Sequence, residues 1–118
     1  MGAIGGSDAV PEKWPRRFCC DEDLAPIGYN GRDAARNLAS LRTRGPPGPT
    51  QELIDVILAN GVDGSLVLDI GAGVGAIHLA MLEAGARRAV DVDASREYLA
   101  AAHEEAHRRG LDERVDYP

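Results

Sequence analysis

Aromatic side chains are scarce in this chain of 118 residues, which has one Trp, three Tyr and one Phe. Any core must therefore be built mainly from Ala, Val, Leu and Ile. Long apolar runs are missing as well, and nothing approaches the roughly 20 residues needed to cross a bilayer. The opening Met1-Gly2-Ala3-Ile4-Gly5-Gly6-Ser7 has no charged segment leading into an apolar stretch, so it does not read as a signal peptide. Its hydroxyl residue also falls one place too late for myristoylation. These absences lead to the expectation of a cytoplasmic chain without a membrane partner. Basic charge is sparse: the net charge is −6, and Arg16-Arg17, Arg42 to Arg44 and Arg87-Arg88 are short clusters of the kind found on solvated faces. A phosphate-backbone binder is not expected from such a balance, so no nucleic-acid partner is assigned. There are two cysteines, the adjacent Cys19 and Cys20. Neighbouring thiols rarely meet disulfide geometry. No His or Cys lies nearby at metal-ligand spacing, so reduced thiols and no metal are expected.

What is present fits one small globular domain, with 44% apolar residues. Residues 1–30 read as a loose tail, rich in Gly, Pro and charge, with Asp21-Glu22-Asp23 as a solvated turn. Residues 31–60 read as a helical segment. Its first helix runs from Gly31 to Thr43 with Ala34, Leu38 and Leu41 on one face, and Gly45-Pro46-Pro47-Gly48-Pro49 stops it. Thr50 reads as the N-cap of a second helix with an apolar stripe of Leu53, Ile54, Ile57 and Leu58, ending at Asn60-Gly61.

Residues 61–118 change period. Leu66 to Ile70 is nearly all apolar, as in a parallel strand buried on both faces. After Gly71 to Gly75, helical spacing returns from Ala76 to Ala84 through Ile77, Ala80 and Met81, and Gly85 closes it. Ala89 to Asp93 reads as a second strand. Ser95 caps a helix to Arg109 with Tyr98, Leu99, Ala102 and Ala106 inward, and Arg114 to Tyr117 begins a third strand. Strand, helix, strand, helix, strand implies a parallel sheet with right-handed crossovers.

The chemistry sits in Asp69-Ile70-Gly71-Ala72-Gly73-Val74-Gly75, at a strand-to-helix junction. Glycines there let the backbone turn sharply and approach a ligand, and the following helix points unpaired N–H groups at it. A zwitterion's carboxylate can sit on those donors while a nearby acid holds its ammonium group. Asp69, at the strand end, faces the crevice where open α/β sheets bind ligands. An unpartnered carboxylate there costs several kcal/mol, so a cationic or hydrogen-bonding partner is expected. Asp93, at the end of the second strand, can accept both hydroxyls of an adenosine ribose, whichever adenosine-bearing ligand is bound. Gly71 to Ala76 also satisfies GxGxx(G/A), which keeps a dinucleotide oxidoreductase as a rival. A pyrophosphate would be repelled by Asp69, whereas the sulfonium and α-ammonium groups of S-adenosylmethionine suit an acid.

Val67 to Gly75, followed by Val90-Asp91-Val92-Asp93-Ala94-Ser95, resembles the first two motifs of class I S-adenosylmethionine-dependent methyltransferases, over roughly Leu66 to Tyr117. The resemblance implies an α/β, Rossmann-like three-layer sandwich with a parallel sheet, here its first three strands, preceded by N-terminal helices. It implies S-adenosylmethionine as cofactor, with Gly71, Ala72, Gly73 and Gly75 as the loop around its methionine half. It further implies Asp69 at the methionine end, Asp93 on the ribose and Ala94 beside the adenine. The stretch Tyr29 to Thr50 is loosely similar to the front of some small-molecule methyltransferases, including magnesium-protoporphyrin O-methyltransferase-like proteins, and a small-molecule acceptor is the expectation. A complete domain of that family has seven strands, so no acceptor or catalytic residue is assigned. A non-catalytic piece, or a half needing a partner chain, stays open. The first strand's bare edge leads to the expectation that this polypeptide alone self-associates, is poorly stable and binds cofactor weakly or not at all.

Plainer roles compete at several positions. The glycines can be a simple turn, and Asp93 a helix-capping acid. Asp91 reads as a surface residue, and His78 as a packed or solvent-facing histidine rather than a base. His103-Glu104-Glu105-Ala106-His107 formally matches His-Glu-x-x-His, but the resemblance puts it on the outer face of a crossover helix with no third ligand.

Overall fold

The computed structural model describes residues 30–118; the expected tail, Cys19, Cys20 and Arg16-Arg17 lie outside them. Helix α1 (Gly31–Arg44) starts on Asn30, whose side-chain oxygen accepts from the Asp33 amide, and buries Ala34, Leu38 and Leu41 as its spacing predicts. Helix α2 (Gly48–Ala59) starts two residues before Thr50, with Pro47 as its cap. Pro49 explains the difference: its ring presets the dihedral of a first helical turn and its missing N–H costs nothing there. Only Ile54 of the expected α2 stripe is fully buried, and Leu53 and Leu58 are exposed.

Strand β1 (Leu66–Ile70), helix α3 (Ala76–Glu83), strand β2 (Arg88–Val92), helix α4 (Arg96–Arg108), a 3-10 turn (Asp112–Arg114) and strand β3 (Val115–Asp116) complete the described fold. The sheet is parallel, in the order β1-β2-β3, with Asp69 opposite Asp91 and Val90 opposite Asp116. Two right-handed crossovers stepping the same way put α3 and α4 on one face. The core forms there from Leu79, Met81 and Leu82 of α3, Ala106 of α4, Ala89 and Val115 of the strands, and Leu111. Helix α2 packs on α3, while α1 packs on α4.

This arrangement corrects the expectation that β1 is buried on both faces. Leu66, Leu68 and Ile70 are 66%, 64% and 74% exposed, because both crossovers cover the side that holds Val67 and Asp69. The three-stranded parallel sheet with its helices, preceded by α1 and α2, is the incomplete Rossmann-like arrangement that was expected. Within α4, Ala101 and Glu105 are buried where Leu99 was expected to be. No helix among the described residues is long and apolar enough to cross a membrane.

Glu105 ties the helices together. Its carboxylate is fully buried and accepts from Arg42 of α1 at 2.7 Å, from Arg108, and from Arg109 at 2.9 Å. The Arg108 hydrogen bond contributes most to pulling its pKa down to about 2, with Arg109 and Arg42 adding to it. His103 and His107 are exposed, as on an outer helix face, while Glu105 between them points into the helix packing; His103 lies tilted against the Tyr117 ring and His107 pairs with Asp112.

Candidate cofactor site

The glycine loop bends as its composition requires. Gly71, Gly73 and Gly75 all have positive φ, at 72°, 57° and 87°, a region that costs an L side chain roughly 1–2 kcal/mol. Nothing lies within 4 Å of where a Cβ would stand on Gly71, so the loop's outer shelf is open. Gly75 is the opposite case. A Cβ there would stand 2.9 Å from the His78 ring, so the close seating of α3 on the loop requires a glycine.

The loop is tied to both strands. The Gly71 amide donates to the Val92 carbonyl at 2.6 Å, and the Gly73 amide to Asp93 Oδ2 at 2.9 Å. The other Asp93 oxygen accepts from the Ser95 amide at 2.8 Å. Asp93 therefore does the turn-forming work of the plainer reading, yet it stands directly after β2 beside the loop, and each carboxylate oxygen keeps a second lone pair for a hydroxyl donor. Ala94 follows it at the surface. Ser95 caps α4 through the Tyr98 amide, and the Tyr98 ring lies 3.8 Å from the Cβ position of Gly73. Asn37 of α1 donates to the Tyr98 hydroxyl at 2.5 Å, which connects the N-terminal helix to the loop.

Asp69 finds the hydrogen-bonding partner expected for it, inside the protein. His78 Nδ1 lies 2.9 Å from Asp69 Oδ2, and the same oxygen accepts the His78 backbone amide at 3.3 Å. The carboxylate thus caps the first turn of α3 and holds its histidine, while 11% of the side chain stays accessible. With the His78 amide taken, those of Ala76 and Ile77 have no acceptor among the described residues and remain for an anion at the helix start. His78 is the packed residue of the plainer reading, at 0% exposure.

Sequence reasoning missed Asp91. Read as a surface residue, it is fully buried, because the register sets it beside Asp69 on the helix-covered face. Its alternation with Asp93 was a usable signal: side chains two apart share a face. Burial pushes its pKa up to about 6, Asp69 and Asp93 add to that, and His78 opposes it. Among the described residues no group of His, Cys, Asp and Glu is arranged to hold a metal ion. Two open grooves of about 430 and 410 Å³, beside α2–α3 and α1–α4, lie on the helices rather than over the glycine shelf.

No protein-family model matches the chain. A 59-residue stretch, 48% of the chain, is 42% identical to the ribosomal protein L11 methyltransferase of Alteromonas mediterranea. The chain spans only 20% of that relative's length. Among solved structures, a Methanococcus maripaludis protein assigned as an S-adenosyl-L-methionine-dependent methyltransferase superposes with a TM-score of 0.64 and 20% identity, over 75% of this chain and 41% of its own. A Geobacter sulfurreducens SAM-dependent methyltransferase, solved with S-adenosyl-L-homocysteine, gives 0.52 and 23%, over 62% and 28%. The described residues thus share the Rossmann-like fold of these enzymes.

Proposed function

We propose that this chain, built on the fold of class I S-adenosylmethionine-dependent methyltransferases, supplies the cofactor-binding part of such an enzyme. The observation that carries the reading is the junction itself: an acid pinned at the end of β1, an open glycine shelf, unclaimed amides at the start of α3, and a second acid just past β2. These residues fit the group. The Ala76 and Ile77 amides suit an amino-acid carboxylate, Asp69 its ammonium, Asp93 the ribose hydroxyls, and the exposed Ala94 leaves room for a base.

The bound cofactor would supply an electrophilic methyl carbon, whose bond to sulfur breaks as a nucleophilic atom of the acceptor bonds to it, with S-adenosylhomocysteine as the leaving group. The residues on the chain position the reactants rather than take part in bond making. Asp69 fixes one end through charge, and Asp93 fixes the sugar. The small-molecule acceptor expected from the sequence is weighed against by the relative, whose name gives a ribosomal protein as its acceptor.

Asp69→Asn tests the reading against a dinucleotide site. Removing a charge-assisted contact should weaken S-adenosylhomocysteine binding about tenfold or more, since each 1.4 kcal/mol is a factor of ten. Binding of NAD should change by less than about twofold. Ligand-observed NMR titration of both compounds gives the comparison, and an equal loss for the two favours the dinucleotide alternative.

The bare apolar face of β1 favours self-association in addition. Leu68→Lys should reduce concentration-dependent association in sedimentation velocity while changing stability by less than about 0.5 kcal/mol, as exposed substitutions do. Association that is unaffected by Leu68→Lys places the contact elsewhere.

A further inference from the structure

Beneath the glycine loop one imidazole stands between two carboxylates. His78 Nδ1 is 2.9 Å from Asp69 Oδ2, and His78 Nε2 is 3.8 Å from Asp91 Oδ2. His78 and Asp91 are both fully buried. Nε2 and both Asp91 oxygens are without a hydrogen-bond partner among the described residues. A neutral imidazole has one N–H donor and one lone pair. If Nδ1 carries the hydrogen, a lone pair faces the buried Asp91 carboxylate. If Nε2 carries it, a lone pair faces Asp69. Neither neutral ring satisfies both acids, and a buried charge facing a lone pair is costly. One additional proton removes the conflict, either on the ring as an imidazolium facing both acids or on Asp91 as a neutral carboxyl facing the Nε2 lone pair.

We propose that Asp91 and His78 hold one proton between them, and that this proton keeps the His78 Nδ1–H donating to Asp69, which makes Asp91 a positioning residue for the acid at the glycine loop. The groups around the pair are Asp69 of β1, Asp93 past β2, and Tyr117 past β3. The Tyr117 phenol is pushed up to about 12, chiefly by burial and then by Asp91 and Asp112, so it stays neutral and does not compete for the proton. Desolvation holds the Asp91 carboxyl at about 6, which is consistent with a proton retained toward neutral pH. The consequence for the cofactor rests on the methyl-transfer reading: an acid clamped by its neighbour presents a fixed partner to an ammonium group.

Side-chain NMR of the ligand-free chain tests the proposal. Between pH 5 and 8 the Asp91 carboxyl carbon should report loss of the shared proton, and the signals of the His78 ring nitrogens and the Asp69 carboxyl carbon should follow that same step. Asp91→Asn, whose neutral amide removes the buried charge facing Nε2, should abolish that step at His78 and leave a neutral ring with its hydrogen on Nδ1. The wild-type titration alone decides if the variant does not fold. An Asp91 carboxylate ionised throughout that range beside a ring with a single hydrogen overturns the proposal, as does a His78 titration identical in both proteins. Absence of S-adenosylhomocysteine binding at every pH would instead count against the proposed function and leave this result standing.

Discussion

Glu105→Ala is expected to lower the unfolding free energy by about 3 kcal/mol at pH 7. The fully buried carboxylate joins α1 to α4 through Arg42, and Arg108 and Arg109 add further hydrogen bonds. Its pKa is held at about 2 against an ordinary 4.5, and at about 1.4 kcal/mol per tenfold change that difference sets the scale of the predicted loss. The partner guanidinium groups are 20% to 54% exposed. They regain water in the variant, so the larger penalty of a stranded buried charge does not apply. The sign follows from linkage. A depressed acid contributes stability that is fully present above 4.5 and fades as pH falls toward 2. Urea unfolding at pH 7 and at pH 3 should therefore show a large gap between wild type and variant at the first pH and a smaller one at the second. A loss below about 1 kcal/mol at pH 7 would show that α1 docks on α4 by its apolar face alone.

The second large effect concerns Gly75. Gly75→Ala should cost about 2–4 kcal/mol, of which the left-handed dihedral accounts for roughly 1–2 and overpacking for about as much again. The overpacking is local: the new Cβ would meet His78 Cε1 at 2.9 Å and Leu79 Cδ1 at 3.3 Å, and both side chains are fully buried. Gly71→Ala is the matched control, with a similar φ of 72° and nothing within 4 Å of the added carbon. Differential scanning calorimetry should find Gly75→Ala melting on the order of 15 °C below wild type, at about 4–8 °C per kcal/mol, and Gly71→Ala about half as far. Equal depressions would mean that backbone strain alone sets both values and that α3 is not seated against the loop.

These expectations rest on features that differed in how plainly the sequence announced them. The span from Leu66 to Gly75 was legible because strand period, three glycines and a helical period follow one another without a gap, and each glycine does adopt a positive φ. The Ala34, Leu38 and Leu41 face was legible for the same reason, since a helix with one buried stripe advertises it. The outer face of β1 misled, because an apolar strand encodes two faces while both crossovers cover the same one. Asp91 misled because polarity was weighed above register: its alternation with Asp93 hinted at a shared face, and its pairing with Asp69 in the sheet places it there. Glu105 was hidden by an apparent metal-binding string, and its partner Arg42 lies 63 residues away, a separation no local pattern can bridge.

A titration of the chain with S-adenosylhomocysteine, followed by amide ¹H–¹⁵N NMR, bears most directly on the cofactor site. Saturable shifts should concentrate at residues 69–77 and 93–95, with little change on the outer face of α1 or at Glu104. Shifts absent at millimolar ligand, or confined to the grooves beside α2–α3 and α1–α4, would contradict a cofactor site at the glycine loop.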